Sequence, residues 1–224
     1  MMKKTSLISL IIAIVSLAVL ACIEQFLKPD YLVKSICKLF LLLIPIVIYS
    51  KLSHQTIKEI TDFKKLKSAR ILYIGMALAY VGIIIAFLLF RNNIDLNQIR
   101  ENLMTKEKLT RENCLFVFAY IILVNSLLEE SFFRGFLCHL FTAEGKEKTG
   151  IIFSAVCFAL YHIGMVSNWF NPLIFVICIA GLAGCGILLQ MVERHFGTLK
   201  ASWLIHGCAN LAINTIGVIA MFQL

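Results

Sequence analysis

Seven times along the chain an apolar run reaches, or nearly reaches, the length a helix needs to cross a bilayer. The runs lie at about 5–26, 32–50, 71–90, 114–139, 150–166, 170–192 and 199–222. At 1.5 Å rise per residue, roughly 20 residues span the hydrocarbon. No water is available there to satisfy peptide groups, so each run must close its own hydrogen bonds as a helix. The expected fold is therefore all-α: a polytopic transmembrane helical bundle of about seven spans, with any catalytic cavity inside the bundle. Composition agrees, because 60% of the 224 residues are hydrophobic and 15% charged, against about half and about a quarter in a soluble domain. No repeat interrupts the pattern, and residues 1–224 read as a single multi-pass domain.

The formal charge of +8 is distributed by topology. In a seven-span arrangement Lys3, Lys4, Lys51, Lys58, Lys64, Lys65, Lys67, Arg70, Lys146, Lys148, Arg194 and Lys200 share one side. Lys28, Lys34, Lys38, Arg91, Arg100, Lys106, Lys108 and Arg111 fall on the other. The positive-inside rule then places the N-terminus in the cytoplasm, in the cell membrane. The basic excess reads as contact with anionic lipid and argues against nucleic acid. Lys34 and Lys38 open the second span and are expected to snorkel outward, while Pro45 predicts a kink. Residues 51–70 read as a surface amphipathic helix, and 94–109 as a helical cap on the opposite face. Small residues at Ala180, Gly181, Ala183, Gly184 and Gly186 predict close helix packing, and Trp169 and Trp203 sit where interfacial aromatics do. The eight cysteines lack CxxC spacing, so they read as packing residues. The run ending VLAC at Cys22 has the form of a lipoprotein signal, but it is long enough to span.

Against this background residues 127–136, LLEESFFRGF, stand out. Charges at membrane depth cost at least a few kcal/mol and mark functional sites by default. At 100° per residue, Glu130 and Arg134 lie about 40° apart and one turn away, an i,i+4 ion pair. Glu129 points about 140° from Arg134, so one cation cannot readily neutralise both acids. Asn125 falls on the Glu129 face, one turn earlier. Two further polar groups sit in late spans: His162 in FALYHIG, and His206 with Asn210 at i,i+4 in WLIHGCANLAINT. Each alone is ambiguous, since membrane helices also use His and Asn as interhelical glue. Their depths converge, however. Glu129 lies about 15 Å before the end of its span, His162 about 18 Å into the next, and His206 about 10 Å into the last. Because spans alternate in direction, these positions form one layer, opening toward the cytoplasm in this orientation.

EESFFR, FALYH and HGCAN resemble, in this order, the EExxxR, FxxxH and HxxxN motifs of the CAAX protease and bacteriocin-processing (CPBP, or Abi) family of intramembrane endopeptidases. The resemblance covers about residues 112–222 as a catalytic core. The family's best-known members have eight spans. The resemblance implies a peptide hydrolase acting on a membrane-embedded or lipidated peptide or protein substrate: prenylated CAAX tails, leader peptides, signalling peptides or bacteriocin precursors.

Chemistry and resemblance assign the same roles. Glu129 is expected as general base on water, with His162 positioning that water, and His206 and Asn210 as donors to the oxyanion. Glu130 and Arg134 would support the helix. No cofactor is favoured, since HExxH is absent, although Glu129, His162 and His206 also form a two-His, one-carboxylate set that zinc could use. The rival functions are a proton-coupled transporter, a non-catalytic bacteriocin-immunity or scaffold protein on the same fold, and a lipid-modifying enzyme, for which no phosphate-binding pattern is present.

Overall fold

A computed structural model describes residues 2–67, 69–166 and 172–222, with the side chains of 106, 165 and 166 left aside. Its regular structure is helical: α1 (Lys4–Cys22), α2 (Tyr31–Ser53), α3 (Ile57–Ile60), α4 (Arg70–Phe90), α5 (Leu96–Glu101), α6 (Cys114–Tyr120), α7 (Ser126–Glu130), α8 (Cys138–Thr142), α9 (Glu147–Tyr161), α10 (Ile163–Val166), α11 (Pro172–Phe196) and α12 (Leu199–Phe222). Among the described residues six helical stretches are long and apolar enough to cross a membrane: Lys4–Leu27, Tyr31–Ser53, Arg70–Asn93, Cys114–Thr142, Pro172–Phe196 and Leu199–Phe222. The chain is a membrane protein built as a helical bundle.

The fifth apolar run differs from a simple span. α9 has 15 residues, about 22 Å of helix, and stops at His162. The cause is local. The His162 ring Nδ1 lies 2.7 Å from the Phe158 carbonyl, the group its own backbone N–H would take in a continuing helix. That N–H turns instead to Ala159 O at 3.1 Å, and the helix ends inside the bundle.

Contacts at the two ends fix the alternation. At one end Lys3 N donates to Glu144 Oε1 (3.1 Å), Lys64 N to Thr198 Oγ1 (3.2 Å), and Arg194 pairs with Glu147. At the other, Lys34 pairs with Glu107 (2.5 Å), Lys108 with Asp30 (3.2 Å), and Arg111 lies over Phe222. Cys114–Thr142 is the central span. Its Phe132, Phe133, Phe136, Leu137 and Leu140 pack against Ala13 and Leu20 of α1, Leu42, Ile46 and Tyr49 of α2, and Phe158 of α9. α1 packs along α2, and its buried residues Ser6, Ser9, Ala13, Ser16 and Leu20 form a stripe of mostly small side chains, which lets helices approach closely.

Several local expectations are revised. Residues 51–70 are not one surface helix. The segment is a single turn, α3, closed by a Thr56–Glu59 capping box, and Asp62 then takes φ 50°. Ile60 is buried and Gly135 leaves room for Thr61, whose Cα would lie 2.9 Å from a Cβ at 135. The loop packs against the end of the central span through Ile60 and Thr61. The small residues of α11 divide. Gly186 meets Ala155 closely, whereas Gly181 and Gly184 face open space. Pro45 lies inside α2, where the kink was expected. Segment 94–109 caps the second end as expected, with Ile99 and Leu109 buried and Leu103 against Gly217. Trp169 lies outside the described residues. Trp203 donates from Nε1 to Leu123 O at 3.0 Å.

Candidate active site

The central helix is locally unwound around the acidic pair. Residues 121–125 and 131–137 adopt wide, i+5-bonded turns on either side of α7; Ser126 N–H, for example, bonds back to Ile121 O. Such bulges inside α-helices recur at functional sites. Side chains of α12 donate to three backbone carbonyls in or just before the first of these bulges. Asn214 Nδ2 reaches Phe118 O (3.3 Å), Asn210 Nδ2 reaches Ile121 O (3.4 Å), and Trp203 Nε1 reaches Leu123 O. Gly207 sits where a Cβ would lie 3.2 Å from Ile122 O, so only a small residue lets α12 come this close.

That contact delivers His206 to the acids. Its Nδ1 lies 2.9 Å from Glu130 Oε1, and its Nε2 lies 3.7 Å from Glu129 Oε2. From α9, His162 brings Nε2 to 3.9 Å from the same Glu129 Oε2. A carbonyl only accepts, so the His162 Nδ1 facing Phe158 O carries the proton and, in the neutral ring, Nε2 has a free lone pair. The two carboxylate oxygens of Glu129 thus have different company. Oε1 receives Asn125 Nδ2 (2.8 Å) and Tyr161 Oη–H (3.1 Å). Oε2 takes neither of these donors and faces both imidazoles across gaps too long for direct hydrogen bonds. A water placed there could donate to Oε2 and to His162 Nε2 together.

The Glu130–Arg134 pair predicted from spacing is present at 3.4 Å, with side chains 0% and 1% exposed. Arg134 also stacks on Phe158, 4.0 Å from the ring centroid. Glu129 is 2% exposed. It lies fifteen residues after Cys114 and thirteen before Thr142, about 20 Å from either end of this helical stretch. Glu129, His162, His206, Glu130 and Arg134 therefore come together. Asn210 lies one turn beyond His206 with its amide directed at Ile121 O.

Two partners were not read from sequence. Tyr161 precedes His162 and looked like any aromatic. Lys38 was expected to snorkel; instead it is 7% exposed and reaches inward to 3.9 Å from Glu129 Oε1, over the Tyr161 ring at 5.0 Å.

The donor set is spaced more widely than the ligands of a zinc site. Ligands 2.0–2.2 Å from a tetrahedral zinc stand about 3.3 Å apart, whereas the spacings from Glu129 Oε2 are 3.7 and 3.9 Å. Among the described residues no group of three His, Cys, Asp or Glu side chains is arranged to hold a metal ion. Ala159, Ile163, Ile179, Ala180 and Ala183 line an apolar groove of about 340 Å³ between α9 and α11.

Residues 111–212 match the family model described as Rce1-like, type II CAAX prenyl endopeptidase Rce1-like. The family resemblance carried by the three motifs is borne out by that match. No curated protein and no solved structure matches the chain.

Proposed function

We propose that this chain, with its Rce1-like domain at residues 111–212, is an intramembrane endopeptidase of the cell membrane that cuts a membrane-embedded or lipidated peptide with a glutamate-activated water. The family supports a CAAX-type membrane protease. The finer assignment rests on one observation: Glu129 Oε2 and the Nε2 atoms of His162 and His206 converge within 3.7–3.9 Å from three separate helices.

In this reading the water donates to Glu129 Oε2 and His162 Nε2, and attacks the scissile carbonyl as Glu129 takes its proton. The amide carbon becomes tetrahedral and its oxygen anionic. His206, protonated on both ring nitrogens, donates from Nε2 to that oxyanion while Nδ1–H stays on Glu130. Asn210 adds its second amide N–H. Glu129 then returns the proton to the departing amine. Arg134 and Glu130 hold His206 in place. No metal takes part, and the N-terminus lies in the cytoplasm.

The experiment compares Glu129→Gln and Glu130→Gln in the full chain reconstituted in lipid, with a quenched fluorescent peptide ending in a prenylated CAAX sequence. Glu129→Gln is expected to lose turnover by at least about 100-fold while remaining folded. Glu130→Gln is expected to lose stability. Unchanged cleavage by Glu129→Gln would sink the assignment.

A further inference from the structure

Two carboxylates buried side by side need two counter-charges if both are to stay ionised. Arg134 serves Glu130 at 3.4 Å and is otherwise stacked on Phe158. The second permanent cation comes from the part of the chain outside the family match. Lys34 and Lys38 lie one turn apart on the inner face of α2. Lys34 is taken by Glu107 at 2.5 Å, so its charge is spent at the outer end. Lys38 reaches deeper, its ammonium 3.9 Å from Glu129 Oε1. Among the described residues that ammonium makes no shorter contact with an acid.

The other groups around Glu129 do not replace it. Asn125 and Tyr161 are neutral donors on Oε1. The His162 ring gives its Nδ1 proton to Phe158 O, and His206 is shared with Glu130. Tyr31 of α2 and Tyr120 of α6 stack edge to face nearby without charge. Glu24, just past the end of α1, also lies within reach of the Lys38 charge. Lys38 and Arg134 balance Glu129 and Glu130 charge for charge, and any charge on His206 is held by Glu130, 2.9 Å from its Nδ1; removing Lys38 takes away the permanent cation beside Glu129.

We infer that Lys38 is a positioning residue for the peptidase site: its ammonium holds Glu129 as a carboxylate and fixes Oε1 inward, leaving Oε2 free for the water. This rests on the peptidase reading of Glu129. α2 therefore contributes to the chemistry as well as to the wall of the bundle.

The test uses the full chain in lipid nanodiscs. Infrared difference spectra at neutral pH, assigned by the band lost in Glu129→Gln, report whether Glu129 is carboxylate or carboxylic acid. Wild type and Lys38→Arg are expected to show the carboxylate, and Lys38→Met the protonated carboxyl. On the prenylated CAAX peptide, Lys38→Met should lower kcat on the order of 100-fold with KM little changed, and Lys38→Arg should recover most of it. If Lys38→Met does not fold, Lys38→Met/Glu129→Gln should, because both charges are then gone. Failure of both to fold, or an unchanged Glu129 carboxylate in Lys38→Met, overturns the inference. The expected spectra with no cleavage by wild type would leave Lys38 in its role and overturn the peptidase reading instead.

Discussion

Removing the charge of Glu130 while keeping its shape isolates the buried ion pair. At 3.4 Å and an effective dielectric of about 20, the attraction is about 5 kcal/mol. Both side chains are almost fully enclosed, so little solvent screens it. Measured losses on breaking such a pair run at about 3–5 kcal/mol, mostly because the surviving partner is left buried and uncompensated. Arg134 would be that partner, and none of its guanidinium nitrogens has a hydrogen bond of good geometry among the described residues. The amide carbonyl that Glu130→Gln introduces can still accept from His206 Nδ1, so the effect falls on Arg134. For a chain of this size about 2–4 °C of Tm accompanies each kcal/mol, giving an expected fall of roughly 6–20 °C for Glu130→Gln. The assay is thermal unfolding in detergent, followed by a thiol-reactive dye that reports exposure of the buried Cys114 and Cys138. Glu130→Gln/Arg134→Met removes both charges and should recover most of the loss. A double variant no more stable than Glu130→Gln refutes the ion-pair account.

Gly135→Ala places a Cβ 2.9 Å from the Thr61 backbone and should cost about 1–3 kcal/mol, read as a lower Tm; Gly181→Ala and Gly184→Ala, which meet open space, should be neutral. Glu144 is held below the usual carboxylate range by the Ser6 hydroxyl and then the Lys3 backbone N–H. A depressed carboxylate stabilises above its unfolded value and loses that contribution as pH falls through the folded one. Protection of the Lys3 amide against hydrogen exchange, relative to the free-chain rate at each pH, should therefore fall on acidification, and Glu144→Gln should abolish that pH dependence. A strong chelator should leave cleavage of the CAAX peptide unchanged; loss of activity restored by zinc would assign Glu129, His162 and His206 to a metal.

How much was legible depended on the range of each interaction. The spans could be read because hydrocarbon imposes length and apolarity on each segment separately. The Glu130–Arg134 pair could be read because it closes within one helical turn. The layer shared by Glu129, His162 and His206 followed from counting rise along alternating helices, and those three side chains do meet. Lys38 could not be assigned, because its partner lies on a helix far along the chain and local rules send a terminal lysine outward. Sequence spacing put Asn210 beside His206, but the wide turn at 121–125 decided which carbonyl its amide meets. The break at His162 likewise follows from a side chain taking a backbone acceptor, which periodicity does not register.

The sequence alone determined that this chain spans a membrane as helices and buries an acid its own helix does not neutralise. Bilayer thickness and the period of the helix act on any segment, whatever its neighbours. The tertiary structure decided which cation lies beside Glu129 and which oxygen of that acid faces the histidines. Those depend on how separate helices rotate and approach, set by Gly207, Gly135 and the small-residue stripe of α1, and no single segment encodes them.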